Sequence, residues 1–322
     1  MPGDWVAFEV NGQDVLFQRI EEKRVGGIKA WLSAIRAISL TATLMPSLAV
    51  VLWIYLSGIE VEWVTVIPAI LGVLCLQIAV NLFNDVGDYI KLIDLPTSLG
   101  GSGVIQKAWL TTKQVRNGAW TALIAGGLLG VPALIQSPQG IFLCGVLAVF
   151  GVLGYSGRPF HLKYKALGDL AVFALCGPVL AMGVSYAAIG EVSHGVMAIG
   201  VFFGFASAAI LNANNMNDIE VDTARGASTL ASVLGFRVAR RLQMIYYIGV
   251  FGSLIWLVDW QWYWFYIVFL SLPLVLKQIK TLNSTEYSSS PTLVDIRFDA
   301  AKTHLLLGVL LSLSIVLEIA FR

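Results

Sequence analysis

Residues 81–94 read NLFNDVGDYIKLID, and they follow directly on about twenty mostly apolar residues. The segment holds three aspartates and two asparagines, in a chain of 322 residues of which only 13% are charged. Asn81, Asn84, Asp85 and Asp88 are spaced i, i+3, i+4 and i+7, which places them on one face of a helix. The pattern therefore predicts a hydrophobic helix that ends in a stripe of carboxylate and amide oxygens.

The composition is typical of a membrane protein. Hydrophobic residues make up 57% of the chain and the mean hydropathy is +0.77, whereas a soluble domain has about 25% charged residues. The net charge of +1 gives no reason to expect a nucleic acid partner. Cys75, Cys144 and Cys176 all lie in apolar runs, so we expect packing residues and not a disulfide framework or a metal site.

Nine segments are long and apolar enough to be read as membrane spans, so we predict an all-α, polytopic protein with nine transmembrane helices in the lipid bilayer. The predicted spans are 37–57, 63–83, 117–135, 139–155, 168–189, 194–213, 242–258, 261–276 and 303–321.

Charge alternates between the loops that join these spans. Of the 21 Lys and Arg residues, all but Arg322 lie before the first span or close to the ends of the second, fourth, sixth and eighth spans. The positive-inside rule makes that side cytoplasmic. We therefore predict a multi-pass protein of the cell's inner (plasma) membrane, whose active site faces the cytoplasm.

The N-terminal segment is polar and differs from the rest. We divide the chain into a cytoplasmic segment, 1–30, and a helical domain, 31–322, and we expect no cleavable signal peptide because the first long apolar run begins after Arg36. Alternating apolar and polar residues around Asn11-Gly12 fit a small hairpin, and they fit an ordinary polar tail equally well.

A second acidic segment matches the first. Residues 214–226 read NNMNDIEVDTARG, and both segments contain Asn-x-x-Asn-Asp. They end the second and sixth predicted spans, four helices apart, which predicts two pseudo-repeated four-helix units followed by a ninth helix. Asn214, Asn217, Asp218 and Asp222 are again spaced to share one helical face.

Two facing stripes of carboxylates repel each other unless a cation lies between them. Carboxylate and amide oxygens suit Mg²⁺, which often binds a few carboxylates together with substrate phosphates. Asp94 is out of phase with the first stripe and is expected to reach the site from the following loop. Basic residues flank the same side, so we predict a Mg²⁺-diphosphate site; the alternative is a solvated boundary of charged helix ends.

Four stretches of this sequence resemble the UbiA-type intramembrane prenyltransferases, in particular the branch that prenylates 1,4-dihydroxy-2-naphthoate in menaquinone biosynthesis. They are NLFNDVGDYIKLID (81–94), GGSGVIQKAWLT (100–111), YSGRPFHLKYKALGDL (155–170) and NNMNDIEVDTARGASTLASVLG (214–235). The resemblance covers nearly the whole chain after residue 30. This chain has Asn217 and Ala227 where many members have Arg and Lys.

The resemblance implies transfer of a polyprenyl group from an allylic diphosphate to an aromatic acceptor. It implies catalytic roles for Asp88, Asp94, Asp218, Asp222 and Tyr155. The candidate Mg²⁺ ligands, which include two further stripe positions, are Asn84, Asp85, Asp88, Asp94, Asn214, Asp218 and Asp222. The candidate diphosphate-binding residues are Asn84, Arg36, Lys107, Arg158, Lys163 and Arg225.

Several residues have a second interpretation. Tyr155 fits either cation stabilisation or an interfacial aromatic belt. Asp169 fits either a favourable acid at a helix start or a polar role in the site. Gly100, Gly101 and Gly103 fit either a plain turn or a close approach to phosphate.

Two other functions compete with this hypothesis. One is prenylation of a different aromatic acceptor, 4-hydroxybenzoate or homogentisate. The other is secondary transport of an organic anion, which would place ionisable groups near the middle of the spans and not at one end.

Overall fold

The computed structural model describes residues 5–11, 14–19, 27–94, 101–157, 159–257, 264–288, 293 and 295–321. The N-terminal segment takes the hairpin form. Strand β1 (Trp5–Asn11) pairs antiparallel with β2 (Asp14–Arg19), and Asn11 lies opposite Asp14.

The rest of the described chain is helical. In chain order the helices are α1 (Gly27–Ala34), α2 (Ala37–Leu56), α3 (Trp63–Ile90), α4 (Thr112–Gln136), α5 (Pro138–Ser156), α6 (Gly168–Ile189), α7 (His194–Asn217), α8 (Ile219–Ala224), α9 (Leu230–Leu234), α10 (Phe236–Ser253), α11 (Trp264–Ser284) and α12 (Ile296–Phe321). Within the described ranges, eight helices are long and apolar enough to cross a membrane: α2 to α7, α11 and α12. The protein is an integral, multi-pass membrane protein.

Two predicted boundaries lie well inside the real helices. The second span was predicted to end at residue 83, but α3 continues to Ile90, so Asp85 and Asp88 belong to the helix itself. The third was predicted to start at residue 117, but α4 starts at Thr112 because Thr111 and Gln114 cap each other's backbone N–H groups there. The cap hydrogen bonds therefore let α4 begin before its apolar run does.

The seventh predicted span accounts for the difference between nine helices and eight. The seventh, 242–258, corresponds to α10, whose first turns carry Arg237, Arg240 and Arg241 and make it more polar than the other spans. The eighth begins at 261, and residues 261–263 lie outside the described ranges; α11 follows from Trp264. The total of nine spans therefore stays a prediction.

Helix α7 is the centre of the bundle. Its Phe202 and Phe203 are fully buried, in a core to which α2, α6 and α12 also contribute. The outward faces of the other helices carry large apolar side chains, such as Ile124 on α4 and Phe142 on α5, that are exposed. An apolar exterior around a packed centre is what a bilayer requires.

A close approach of two backbones fixes α6 against α7. A Cβ atom added at Gly177 would lie 2.4 Å from the Gly200 carbonyl oxygen and 2.6 Å from Gly204 Cα. Gly177 lies in a π-helical turn, Leu175–Val179, which also contains Pro178. Small residues at such crossings allow helices to pack tightly in lipid.

We expect Gly177→Ala to destabilise the protein by about 1–3 kcal/mol, because the added methyl group overlaps backbone atoms that cannot move aside. Thermal unfolding in detergent measures the effect. Gly145→Ala on α5 is the matched control, since nothing lies within 4 Å of a Cβ there. Equal unfolding temperatures for the two variants would contradict the expectation.

Candidate active site

Asp85, on the last turns of α3, is held by an arginine and by the loop that follows Gly101. The carboxylate is 3% exposed. It forms an ion pair with Arg36, and Ser102 donates to it from its hydroxyl and, at 3.3 Å, from its backbone N–H. Arg36 lies between α1 and α2 in the left-handed conformation, with φ of 52°. That turn directs its guanidinium to α3.

Asp88, one turn further along, binds the loop between α5 and α6. The Lys163 ammonium donates to Asp88 Oδ2 at 2.7 Å and to Asn84 Oδ1 at 3.3 Å. The Tyr164 hydroxyl donates to Asp88 Oδ1, and the Ser156 hydroxyl donates to Asn84 at 2.8 Å. The amide and the carboxylate thus face one lysine.

Asp94 returns to the same place from the loop after α3. The backbone N–H groups of Ile93 and Asp94 donate to the Asp88 carbonyl, at 2.9 and 3.4 Å, which folds the chain back. Asp94 is buried, and among the described residues its Oδ2 has no hydrogen-bond partner. Burial, with the adjacent charge of Asp88, raises the pKa of Asp94 to about 6.

Gly101 lets the following loop pass over these carboxylates. Its φ is 68°, which suits glycine, and a Cβ there would lie 2.4 Å from Asp94 Oδ2 and 3.5 Å from Asp85 Oδ1. Both carboxylates therefore lie directly beneath the glycine backbone.

The second acidic segment is bent and does not form one continuous stripe. Helix α7 ends at Asn217, Asp218 lies at the junction, and the short helix α8 carries Asp222. Asn217, the last residue of α7, donates its side-chain amide to the Ala213 carbonyl at 3.1 Å. Asp222 is buried and accepts from the Thr229 hydroxyl at 3.1 Å.

The acids of this segment are hard to ionise. Burial raises the pKa of Asp218. Burial also raises the pKa of Asp222 to about 7; Lys163 opposes that shift and Asp218 adds to it.

The two acidic segments meet around Lys163. Its charge acts on Asp88 and Asp94 from the first segment and on Asp218 and Asp222 from the second. Asp88 in turn acts on both second-segment aspartates. The pairing of Ala166 N–H with the Ser228 carbonyl at 2.7 Å joins the loops that carry them. Four carboxylates from distant parts of the chain therefore lie close enough to Lys163 to interact with it electrostatically.

The chain's similarity to known proteins agrees with this arrangement. The sequence profile of the UbiA prenyltransferase family matches residues 43–298. This chain belongs to the UbiA prenyltransferase family. It is therefore an enzyme that transfers prenyl groups.

Two named relatives of this UbiA enzyme are 1,4-dihydroxy-2-naphthoate octaprenyltransferases. That of Mycobacterium tuberculosis is 28% identical over 252 residues, which cover 77% of this chain and 84% of the relative. That of Bacillus subtilis is 26% identical over 289 residues, 88% and 91% of the two chains. A UbiA homolog from Archaeoglobus fulgidus, solved bound to GPP and Mg²⁺, has the same fold, with a TM-score of 0.61 at 15% identity over 90% of this chain and 99% of that one.

Some predicted residues of this UbiA enzyme lie at the site and others do not. The backbone of Gly168 lies next to both Tyr155 and Lys163: a Cβ at Gly168 would lie 3.8 Å from the Tyr155 hydroxyl and 3.6 Å from Lys163 Cα. Arg225 acts electrostatically on Asp94 as well as on its own segment. Lys107 is exposed and lies over the Trp109 ring, 5.0 Å from its centre.

The two remaining predicted site residues are Arg158 and Asn214. Arg158 lies outside the described residues, and Asn214 is half-buried at the end of α7.

Sequence reasoning missed the hydroxyl groups that hold the site together. Ser102, Ser156, Tyr164 and Thr229 each donate to a predicted site residue. All four lie in or beside the segments that carry the family resemblance, which was the one signal that pointed to them. Hydroxyl groups follow no helical period, so spacing alone gives no way to select them.

The donors fit a hard divalent cation in kind. They are carboxylate and amide oxygens, and the buried Asp94 Oδ2 has no hydrogen-bond partner in the part of the chain that the structure describes. Within the described part of the chain no three acidic, His or Cys side chains are gathered in a ready metal-binding group. Two of the carboxylates are instead engaged by Arg36 and Lys163.

Proposed function

We propose that this enzyme transfers a polyprenyl group from an allylic diphosphate to a ring carbon of 1,4-dihydroxy-2-naphthoate, with Mg²⁺. Diphosphate leaves the prenyl donor and the ring carboxylate leaves as CO₂, which gives the quinol form of demethylmenaquinone. The observation that carries the proposal is the meeting of two acidic segments around Lys163 at one end of an apolar bundle. The names of the two octaprenyltransferases support the choice of acceptor. We further propose nine spans, arranged as two four-helix repeats and a final helix, in the plasma membrane with the site on the cytoplasmic side.

The basic residues would bind the diphosphate. Lys163 donates at most three hydrogen bonds, and two already reach Asp88 and Asn84. If a diphosphate oxygen took the place of the Asp88 carboxylate, the Lys163 ammonium would still be ion-paired. Arg36 pairs with Asp85, and Arg225 interacts electrostatically with Asp94, Asp218 and Asp222.

The carboxylates would hold the metal, and the tyrosine would face the cation. The proposed ligands are Asn84, Asp85, Asp88, Asp94, Asn214, Asp218 and Asp222. When bound, Mg²⁺ supplies neutralisation of the charge that grows on the leaving diphosphate. Tyr155, whose hydroxyl lies next to the backbone of Gly168 as Lys163 does, would supply the aromatic face that stabilises an allylic cation.

The position of the charges weighs against transport. Asp85, Asp88, Asp218 and Asp222 lie at the ends of α3 and α7 or just beyond, and not at mid-span. An organic-anion transporter needs ionisable groups near the bilayer centre.

The test is an assay of the purified protein in lipid with a polyprenyl diphosphate, Mg²⁺ and one aromatic acceptor at a time. We expect a prenylated naphthoquinol from 1,4-dihydroxy-2-naphthoate and no product with EDTA. Product from 4-hydroxybenzoate or homogentisate alone would replace our acceptor. A well-folded protein that prenylates none of the three would contradict the proposed reaction.

Binding of Mg²⁺ should depend on pH near neutrality. The pKa of Asp94 is about 6 and that of Asp222 about 7, so both carboxyl groups hold protons at pH 5 that a metal must displace. We expect Mg²⁺ affinity to rise from pH 5.5 to 7.5, by roughly tenfold per pH unit for each proton displaced, and then to level off. Calorimetric titration with MgCl₂ at several pH values measures this.

Without metal, stability should change in the opposite direction. Both folded-state pKa values lie above the unfolded value of about 4, so the unfolded chain ionises first as pH rises. The unfolding temperature in EDTA should fall between pH 4 and pH 7, and added Mg²⁺ should restore it most strongly at pH 8. A metal affinity that is constant from pH 5.5 to 8 would show that neither carboxylate binds the metal.

A further inference from the structure

A buried carboxylate, Asp169, takes no part in the site as proposed so far. It lies in the first turn of α6 and is 3% exposed. Tyr246 of α10 donates to its Oδ2 at 2.9 Å, and Asn215 of α7 approaches its Oδ1 at 3.5 Å, the outer limit of a hydrogen bond. No ion pair involves Asp169 among the residues that the structure describes.

A helix start explains only part of this arrangement. The positive end of the α6 dipole favours an acid in the first turn. It does not account for the contacts that Asp169 makes with side chains from two other helices. A buried carboxylate inside a membrane bundle is costly, and such groups usually serve binding or transfer of a substrate.

Aromatic rings lie next to this carboxylate. Tyr246 is followed by Phe205, at 6.5 Å between ring centres, and Phe205 by Phe173, at 4.8 Å. The three rings come from α10, α7 and α6. A planar aromatic molecule stacks favourably on such a wall.

The reaction site is immediately adjacent. Gly168 precedes Asp169, and its backbone lies next to both the Tyr155 hydroxyl and Lys163. Asn215 follows directly on Asn214, a candidate metal ligand. Asp169 therefore lies where the polar site gives way to the apolar bundle, beside the position proposed for the prenyl cation.

We propose that Asp169, oriented by Tyr246, accepts a hydrogen bond from a ring hydroxyl of the aromatic acceptor, while the acceptor ring packs on the wall formed by Tyr246, Phe205 and Phe173. This inference rests on the proposed function. Oδ1 is the oxygen available to the acceptor, since its bond from Asn215 is long. An acceptor without a ring hydroxyl would leave Asp169 Oδ1 with only the long bond from Asn215 and would bind weakly.

The test compares Asp169→Asn, Tyr246→Phe and Tyr247→Phe. Tyr247 is the matched control, because it neighbours Tyr246 on α10 and also loses one buried hydroxyl bond, to Gln278 at 2.7 Å, away from Asp169. We expect Asp169→Asn to raise the KM for 1,4-dihydroxy-2-naphthoate by at least about tenfold and Tyr246→Phe by about threefold or more. The KM for the prenyl diphosphate should stay within about twofold in all three variants, and Tyr247→Phe should leave both constants unchanged.

The outcomes separate binding from structure and from the proposed function. Equal rises in both KM values, or a lower unfolding temperature with an unchanged acceptor KM, would overturn the role of Asp169. If the wild type prenylates no aromatic, the proposed function fails. Binding of 1,4-dihydroxy-2-naphthoate, followed by its fluorescence, then decides the inference: binding that weakens in Asp169→Asn supports it, and absent or equal binding overturns it.

Discussion

Asp88→Asn should lower kcat for prenyl transfer by at least about 10²–10³-fold, the range seen when one preorganised electrostatic contact to a transition state is removed. Asp88 binds Lys163, accepts from Tyr164 and acts on both aspartates of the second segment. The amide keeps the size of the side chain but loses its charge. The substitution removes a proposed metal ligand. It also leaves Lys163 without the full negative charge that now lies 2.7 Å from its ammonium.

Steady-state kinetics with the prenyl diphosphate and Mg²⁺ varied separately would measure this. Asp299→Asn is a suitable control, since Asp299 on α12 also pairs with lysines, but its partners, Lys277 and Lys302, are exposed. We expect Asp222→Asn to match Asp88→Asn and Asp299→Asn to retain wild-type rates. If Asp88→Asn kept more than a tenth of the wild-type kcat, the proposed role of the carboxylates as metal ligands would be wrong.

Lys163→Met should raise the KM for the prenyl diphosphate by about a hundredfold, since it removes the cation that all four central aspartates share. It should also destabilise the metal-free protein, because breaking a buried ion pair from one side costs about 3–5 kcal/mol. Asp88, at 2% side-chain exposure, would be the charge left behind.

Mg²⁺ should restore much of that stability, because a divalent cation replaces the missing positive charge. Thermal unfolding with and without MgCl₂ would test this, with Lys165→Met as the control: Lys165 lies two residues away but is exposed. A Lys163→Met protein that unfolds at the same temperature as the control, in EDTA, would mean that the lysine does not hold the site together.

The sequence predicted the composition of the site well and its shape less well. The helical spacing identified Asp85 and Asp88, and the loop position of Asp94 was expected from its phase; the structure places all three together. The same reasoning treated residues 214–222 as one helix, whereas α7 ends at Asn217 and Asp222 lies on the separate helix α8. Spacing predicts a face only while the helix continues.

Contacts between residues far apart in the sequence could not be predicted from residue spacing. Lys107 and Lys163 both lie in loops near the acidic segments, and nothing in the sequence alone says that Lys163 contacts Asp88 while Lys107 lies over the Trp109 ring. Such choices depend on loop paths, which are set by backbone turns such as the left-handed Arg36 and His161. The family resemblance, and not the helical period, pointed to Lys163 as a residue of the site.

The apolar exterior of the bundle has a consequence for kinetics. A prenyl chain is soluble in the bilayer that surrounds the exposed residues of α4 and α5. The quantity that governs encounter is therefore the mole fraction of substrate among the lipids, and not its amount per volume of water. Adding empty vesicles at constant amounts of substrate and enzyme would lower the mole fraction of substrate in the membrane and therefore the rate. Rates measured in different detergents or lipids become comparable only when the substrate is expressed as this mole fraction.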